Sequence, residues 1–402
     1  MIFVGRKQLN LSLIQPLLLG LGLLLCFVMF VPAQPTKRRT TPPATTASFE
    51  QLTQRAEAAR QADNLAEAIN LFQQAVRQKP NWIQGWWSLG TIYYQQDRYG
   101  EGREAFKRLV ALEPRGGVGW AFLGLCEYQL KDYQNALLHL QRGRDLGLGG
   151  NQEIANVTRY HAAILMNRFE QFELSYAVLQ ELAKFQNESP SIFEAFGLMM
   201  LRLPYLPGEA PADKREVVMK TGRAAYFMAA DKRAIAAQEF SELLAVFPQM
   251  PGVHYAYGLF FLRDSPDEAV REFKNELQIS PNHVFARLQI AFEFLKRSEP
   301  AAGLSYAEEA VKLAPDLFAA HNALGRILLE TGQTERAIKE LEIGVKQAPD
   351  SPEMFFALAR AYSKAGRKAD ADRARAEFMR LDKIRRSKKE SFIGDSTEEK
   401  KP

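Results

Sequence analysis

A chain of 402 residues, 47% of them hydrophobic and 25% charged, is long enough for two or three ordinary globular domains, although a repeat array need not divide that way. Its formal charge of +5 misleads, because residues 1–49 hold five Lys or Arg and no Asp or Glu, while residues 50–402 balance at 47 against 47. The balance leaves no basic stripe of the kind nucleic-acid binding requires, so no nucleic-acid partner is expected.

The first predicted element is an export segment. Arg6 and Lys7 precede an apolar stretch from Leu11 to Val31, which ends at Val31-Pro32-Ala33. A positive start, an apolar core and small residues before a cut predict a cleaved secretory signal, removed after Ala33. The alternative is an uncleaved anchor, since residues 11–31 are long enough to span a bilayer and would give membrane attachment. Basic residues flank both ends (Lys37, Arg38 and Arg39 follow), so an anchor could leave the rest of the chain on the cytoplasmic side. Residues 34–48, rich in Thr, Pro and Ala, read as a disordered spacer. With the signal removed, Cys126 is the one remaining thiol, which predicts a packed small side chain and no internal disulfide.

From residue 49 onward the chain repeats itself at a period of about 34. Each unit holds two short amphipathic runs, apolar three and four apart, joined by a turn and closed by a proline such as Pro80, Pro114, Pro248, Pro281, Pro315 or Pro349. The unit at 318–351 shows the pattern plainly: Gly332 ends its first helix in a left-handed conformation and Pro349 stops the second. Position 8 of the units is always small, as at Ala56, Gly90, Gly124, Ala163, Gly258 and Gly325. Position 20 is small too, as at Ala68, Gly102, Ala136, Ser175, Ala236 and Ala337, which lets the two helices approach. Position 24 is bulky, with Phe72, Phe106, Leu140, Leu179, Phe240, Phe273 and Leu341, and is expected to fill the space left between hairpins.

The expected fold is all-α, a solenoid of about nine stacked hairpins plus one orphan helix. The first arm is 49–189, made of units 49–82, 83–116, 117–150 and 156–189. The orphan helix and a proline-rich elbow occupy 190–216, and the second arm is 217–385, with units at 217–250, 251–283, 284–317, 318–351 and 352–385. A disordered tail, 386–402, follows. Within the elbow, Asp213-x-x-Glu216 has the form of a capping box and predicts a helix start there.

No chemistry stands out. His139, His161, His254, His283 and His321 have no second His or Cys at metal-ligand spacing, and there is no HExxH, no GxSxG and no phosphate-binding loop. Glycine clusters such as 116–119 and 147–150 fall at unit junctions and read as turns. His254 and His321 occupy position 4, where Trp86, Trp120 and Phe355 sit elsewhere, so both are expected to pack. The expectation is a non-enzyme without metal or cofactor.

The run Trp86-Trp87-Ser88-Leu89-Gly90-Thr91-Ile92-Tyr93, followed by Phe106 and Pro114, resembles the tetratricopeptide repeat pattern W-x2-L-G-x2-Y…A-x3-F…P, with Gly102 at the place of its Ala. The resemblance covers about 49–385 and, with the export segment, is to the bacterial exported kind. It implies a right-handed superhelix whose first helices line a concave groove with positions 2, 5, 9 and 12. On this chain those positions include Trp87, Tyr94, Tyr128, Tyr160, Tyr255, Phe285, Leu288, Phe292, Leu295 and Phe356. The resemblance therefore implies protein or peptide binding in the groove, with packing against the neighbouring repeat as the competing use of each ring. The Lys and Asn with which co-chaperone repeats hold a partner's terminal carboxylate are not matched by Thr53 and Glu57, Trp87 and Thr91, or Asn322 and Arg326. The expected function is a protein-interaction scaffold or assembly factor at the cell envelope. The alternative is an accessory subunit of a polysaccharide or pilus export machine.

Overall fold

The structure is a computed structural model that describes residues 48–185 and 188–394, with side chains as far as Arg386. The export segment with its cleavage point after Ala33, and the spacer as far as Ala47, lie outside the described residues. Among the described residues the chain is all-α, a succession of helical hairpins of the solenoid class with no strand. It divides into two compact units, with the boundary in the chain between Arg115 and Gly116.

The first unit contains α1 (Phe49–Gln61), α2 (Leu65–Gln78), α3 (Ile83–Gln95) and α4 (Tyr99–Leu112). Ser48 opens α1 with a reciprocal capping box: its hydroxyl accepts from the Gln51 N–H at 3.2 Å, and the Gln51 side-chain oxygen accepts from the Ser48 N–H at 3.1 Å. Leu52, Phe72, Leu89 and Ile92 are buried between the hairpins. Trp82 closes that core, 5.2 Å from the Phe49 ring and 6.0 Å from Phe72.

The second unit begins with α5 (Gly117–Gln129), α6 (Tyr133–Leu146), α7 (Gln152–Arg168), α8 (Phe172–Lys184), α9 (Pro190–Met200) and α10 (Arg215–Ala229). It continues with α11 (Arg233–Val246), α12 (Val253–Phe261), α13 (Pro266–Ile279), α14 (Val284–Lys296) and α15 (Pro300–Leu313). Two further hairpins complete it: α16 (Phe318–Glu330) with α17 (Thr334–Gln347), and α18 (Pro352–Lys364) with α19 (Lys368–Gly394).

The repeat positions have one steric meaning throughout. A β-carbon added at position 8 would stand 2.7 Å from Phe106 at Gly90, 2.5 Å from Phe273 at Gly258 and 2.5 Å from Leu341 at Gly325. Small position 8 thus faces bulky position 24 of its own hairpin, and position 20 is buried at Ala68, Ala136, Ser175, Ala236 and Ala337. The turn inside most of the hairpins is equally regular, that between α12 and α13 being the exception. Asp63, Asp97, Lys131, Glu170, Asp231 and Ser298 have φ between 55° and 62°, and Gly332 takes the same place at 81°. The residue after the left-handed one donates back into the first helix, as Asn64 does to Ala59 at 2.9 Å and Gln333 to Leu328 at 2.8 Å. Only the glycines announce this turn in the sequence; elsewhere the geometry of the hairpin imposes it on Asp, Lys, Glu and Ser.

Three differences from the sequence reading concern the elbow and the end of the chain. Helix α9 has a partner, and it is α10. The two cross with their backbones in contact, since a β-carbon at Gly197 would fall 1.9 Å from the Val218 carbonyl oxygen and one at Gly222 would fall 1.7 Å from that of Phe193. The Asp213-x-x-Glu216 capping box does not form. A 3₁₀ turn at Ala212–Lys214 leads directly into α10, whose cap residue Lys214 makes no side-chain bond, so Asp213 is already inside the helical run. Finally, α19 continues to Gly394, past the repeat boundary at 385, because no proline or glycine interrupts it and Asp382 pairs with both Arg385 and Arg386.

The elbow is bolted down. Asn167 on α7 donates to the carbonyls of Leu203 at 2.8 Å and Tyr205 at 3.2 Å, and Arg168 reaches the Pro204 carbonyl at 3.1 Å and Glu209 at 3.2 Å. From α9, Glu194 accepts the Gly208 N–H at 2.7 Å. Side-chain partners thereby replace the helix bonds that Pro204, Pro207 and Pro211 forbid.

Candidate protein-binding face

Position 4 of the first helices carries a recurring latch. The Trp86 indole N–H donates to the Pro80 carbonyl at 2.7 Å, and the Nε2 of His254 and of His321 lie 3.0 Å and 2.8 Å from the carbonyls of Pro248 and Pro315. Each ring thus ties the start of its unit to the proline that closed the unit before it. Both histidines are buried and have a carboxylate on the other nitrogen, Glu272 at 2.6 Å from His254 and Glu340 at 2.7 Å from His321. The hydrogen bond to Glu272 raises the His254 pKa above its ordinary value against the opposing effect of burial.

With position 4 occupied by the latch, positions 2, 5, 9 and 12 decide what the first helices present. In the first unit, Trp87 and Tyr94 are half-buried; Trp87 meets Phe106 edge-on at 6.0 Å and Tyr94 meets Tyr99 at 5.5 Å. In the second unit, Tyr128 and Tyr160 flank His161 at 4.7 Å and 5.3 Å, all three half-buried. Burial pushes the Tyr128 hydroxyl up to about 12 and raises that of Tyr160 as well. Both hydroxyls are neutral donors at any physiological pH.

Further along, the row is taken up by packing. Tyr255, expected on the groove, is buried: its ring lies 5.7 Å from Phe273 and 4.6 Å from His283, and burial lifts its hydroxyl to about 12. Leu288 is buried too, and Leu295 is half-buried against the core. Phe285 is half-buried and its ring is covered by Arg202, whose guanidinium lies 3.4 Å from the Phe285 centroid and 4.4 Å from that of Phe172, with an ion pair to Glu173 at 2.7 Å. Arg202 follows the last turn of α9 in a left-handed conformation (φ 55°) and so reaches both α8 and α14. Beside it His283 caps α14, its Nδ1 accepting the Ala286 N–H at 3.0 Å, which requires that nitrogen to be unprotonated. Burial and the Arg202 charge hold its pKa down at about 4, consistent with that role.

The last part of the row opens again. Phe292 is half-buried, with the Arg326 guanidinium 5.8 Å from its centroid. Phe356 on α18 is 52% exposed. It stands at a cleft of about 660 Å³ between the ends of α16 and α18 and the side of α19. Phe378, in ring contact with Phe356, and Met379 continue its apolar lining, and Arg360, Lys364 and Arg375 bring three cations to the cleft against the single carboxylate of Glu330. Sequence reasoning missed the rim. The signal was present in Arg326 and Arg360, which hold position 9 in two successive units, but cations on helix surfaces read as solvated until a cleft places them together.

Among the described residues, no group of three or more His, Cys, Asp or Glu side chains could hold a metal ion, and no helix is long and apolar enough to cross a membrane. Cys126 is buried and in no disulfide among the described residues.

Family models described as tetratricopeptide repeat match residues 53–116, 88–147 and 294–361. No curated protein matches the chain significantly. Among solved structures, a MamA RS-1 double mutant is 20% identical with a TM-score of 0.40, covering 44% of this chain and 99% of its own. MamA 41-end from Desulfovibrio magneticus RS-1 is 22% identical with a TM-score of 0.37, covering 44% and 98%. A MamA crystal structure is 14% identical with a TM-score of 0.38, covering 41% and 96%. At such identities and TM-scores the likeness carries nothing further.

Proposed function

We propose that this chain, a tetratricopeptide repeat protein, works at the cell envelope as a non-enzymatic scaffold or assembly factor that holds a protein or peptide on the face of its first helices. Tetratricopeptide repeat proteins generally are protein-interaction scaffolds. The observation that carries the reading here is the set of aromatic residues that the first helices present in each unit taken by itself. Trp87, Tyr94, Tyr128, Tyr160 and Phe292 are half-buried, and Phe356 is more than half exposed. Rings held edge-on by neighbours are rigid anchors, which lose little entropy when a partner covers them. The envelope placement is supported by the apolar stretch 11–31 between Arg6-Lys7 and Lys37-Arg38-Arg39.

Crosslinking in cells followed by co-purification tests the reading. The wild-type chain should recover a defined envelope protein, and Trp87→Ala with Tyr94→Ala should lose it; equal recovery from both would remove that patch from the binding face. A recurring glycan-synthesis or pilus-export complex among the products would instead favour an accessory role in such a machine. Sequencing the N-terminus of the mature protein checks location: a start at Gln34 means a cleaved signal, whereas an intact Met1 retains the anchor.

A further inference from the structure

The cleft between α16, α18 and α19 combines two properties that surface clefts seldom share. Its walls are apolar and exposed: Phe356 is 52% and Met379 68% exposed, and the Phe356 and Phe378 rings lie 5.4 Å apart at 54°. Phe356 and Phe378 are in ring contact and form one apolar side of the cleft with Met379, and large apolar side chains left exposed together mark a surface that gains by being covered. Its volume of about 660 Å³ suits a few side chains of a bound segment.

Among the described residues, the rim carries more cations than carboxylates to pair with them. Arg360 pairs with Glu330 at 2.8 Å, and Arg375 with Asp372 at 2.8 Å while also donating to the Ser363 hydroxyl at 2.6 Å. Lys364 has no carboxylate among the described residues; its ammonium donates to the Leu329 carbonyl at 2.7 Å. Arg326, one unit upstream on the same face, also has no carboxylate within ion-pair distance there. Burial lowers its pKa, and the charge of Arg360 lowers it further against the single opposing charge of Glu330. Four cations therefore share two carboxylates along this strip, and two of the guanidiniums repel one another across it.

From this geometry we propose that the cleft takes an acidic, Leu- or Phe-bearing peptide segment of a partner protein. Carboxylates of the segment meet Arg360, Lys364 and Arg375 at the cleft, and its apolar side chains cover Phe356, Phe378 and Met379. Neither half suffices alone, because exposed ion pairs contribute little and the apolar walls do not select charge. The proposal rests on the reading of the chain as a protein-binding scaffold and adds where a segment docks and of what chemistry.

The test uses the full chain and an array of synthetic dodecapeptides of fixed Leu and Phe content, their net charge stepped from strongly acidic to strongly basic. Retention should rise with negative charge. Arg360→Glu combined with Lys364→Glu should weaken the acidic peptides by about tenfold or more and turn the preference toward basic ones. Both side chains are exposed, so the helical circular dichroism should not change. Phe356→Ala should weaken acidic and neutral peptides alike. Retention without regard to charge, or indifference to the double variant, would overturn the acidic assignment while leaving protein binding as such in place. Stronger retention of oligothymidylate than of any peptide would overturn it in favour of single-stranded nucleic acid. A rise of about tenfold on deleting residues 395–402, which hold Asp395, Glu398 and Glu399, would make the chain's own end the occupant and overturn the assignment to a partner.

Discussion

Two regions of the second unit carry aromatic residues at positions expected to face the groove and use them in opposite ways. At the start of α14, Phe285 lies under Arg202 and the neighbouring Tyr255 is sealed against Phe273 and His283. On α18, Phe356 has one ring neighbour, Phe378, and stands mostly in solvent. The local helix is the same in both places. What differs is the arrival of a third element: the end of α9 lays Arg202 across α14, whereas nothing among the described residues crosses α18. A repeat position specifies the direction in which a side chain leaves its helix, and the surroundings specify whether it meets protein or water.

The sharpest way to break the first region is through Glu276. Its buried carboxylate accepts the Gly252 N–H at 2.9 and 3.0 Å and the Tyr255 N–H at 3.2 Å, closing the start of α12. Glu276→Ala leaves both donors buried without a partner and should cost about 3 kcal/mol in urea unfolding, with Glu276→Gln recovering part of the loss. The node should also weaken in acid. The folded His283 pKa of about 4 lies below the ordinary 6.5, so its contribution is complete above pH 6.5 and lost as pH falls towards 4. The loss amounts to at most about 3 kcal/mol. The charged groups facing it are Arg202 and Arg287. His254 acts with the opposite sign, since its raised pKa makes its contribution complete below 6.5 and lost as pH rises past the raised value. His283→Asn keeps a capping acceptor that does not titrate, so melting curves between pH 7 and 4 should be flatter for this variant than for the wild type.

The smallest effects sharpen the comparison itself. Phe285→Ala removes a ring stacked with a cation and should cost about 2 kcal/mol. Phe356→Ala removes an exposed ring and should change stability by about 0.5 kcal/mol or less. Equal costs in chemical denaturation would mean that the two rings are used alike.

Much of the fold was legible in the residues alone. The small residues at positions 8 and 20 did mark the close approach of paired helices, and the left-handed turn at Gly332 formed as its glycine implied. Position 24, expected to fill the space between hairpins, packs instead against position 8 of its own hairpin at Gly90, Gly258 and Gly325. These features are local, set by one hairpin and the steric size of two residues, so a linear pattern can carry them. The aromatic row was legible as a list but not as a surface. Tyr255 and Phe356 occupy the same position of their units, yet one is sealed and the other bare.

The amino-acid sequence by itself determined the helices, their pairing into hairpins and the repeat that stacks them, because period, size and turn chemistry act over a few residues. Only the tertiary structure decided that α9 would pair with α10, that Arg202 would cover Phe285, and that Arg360, Lys364 and Arg375 would share a rim with Phe356. Those outcomes depend on which elements far apart in the chain come to lie side by side, and burial and charge are properties of that meeting.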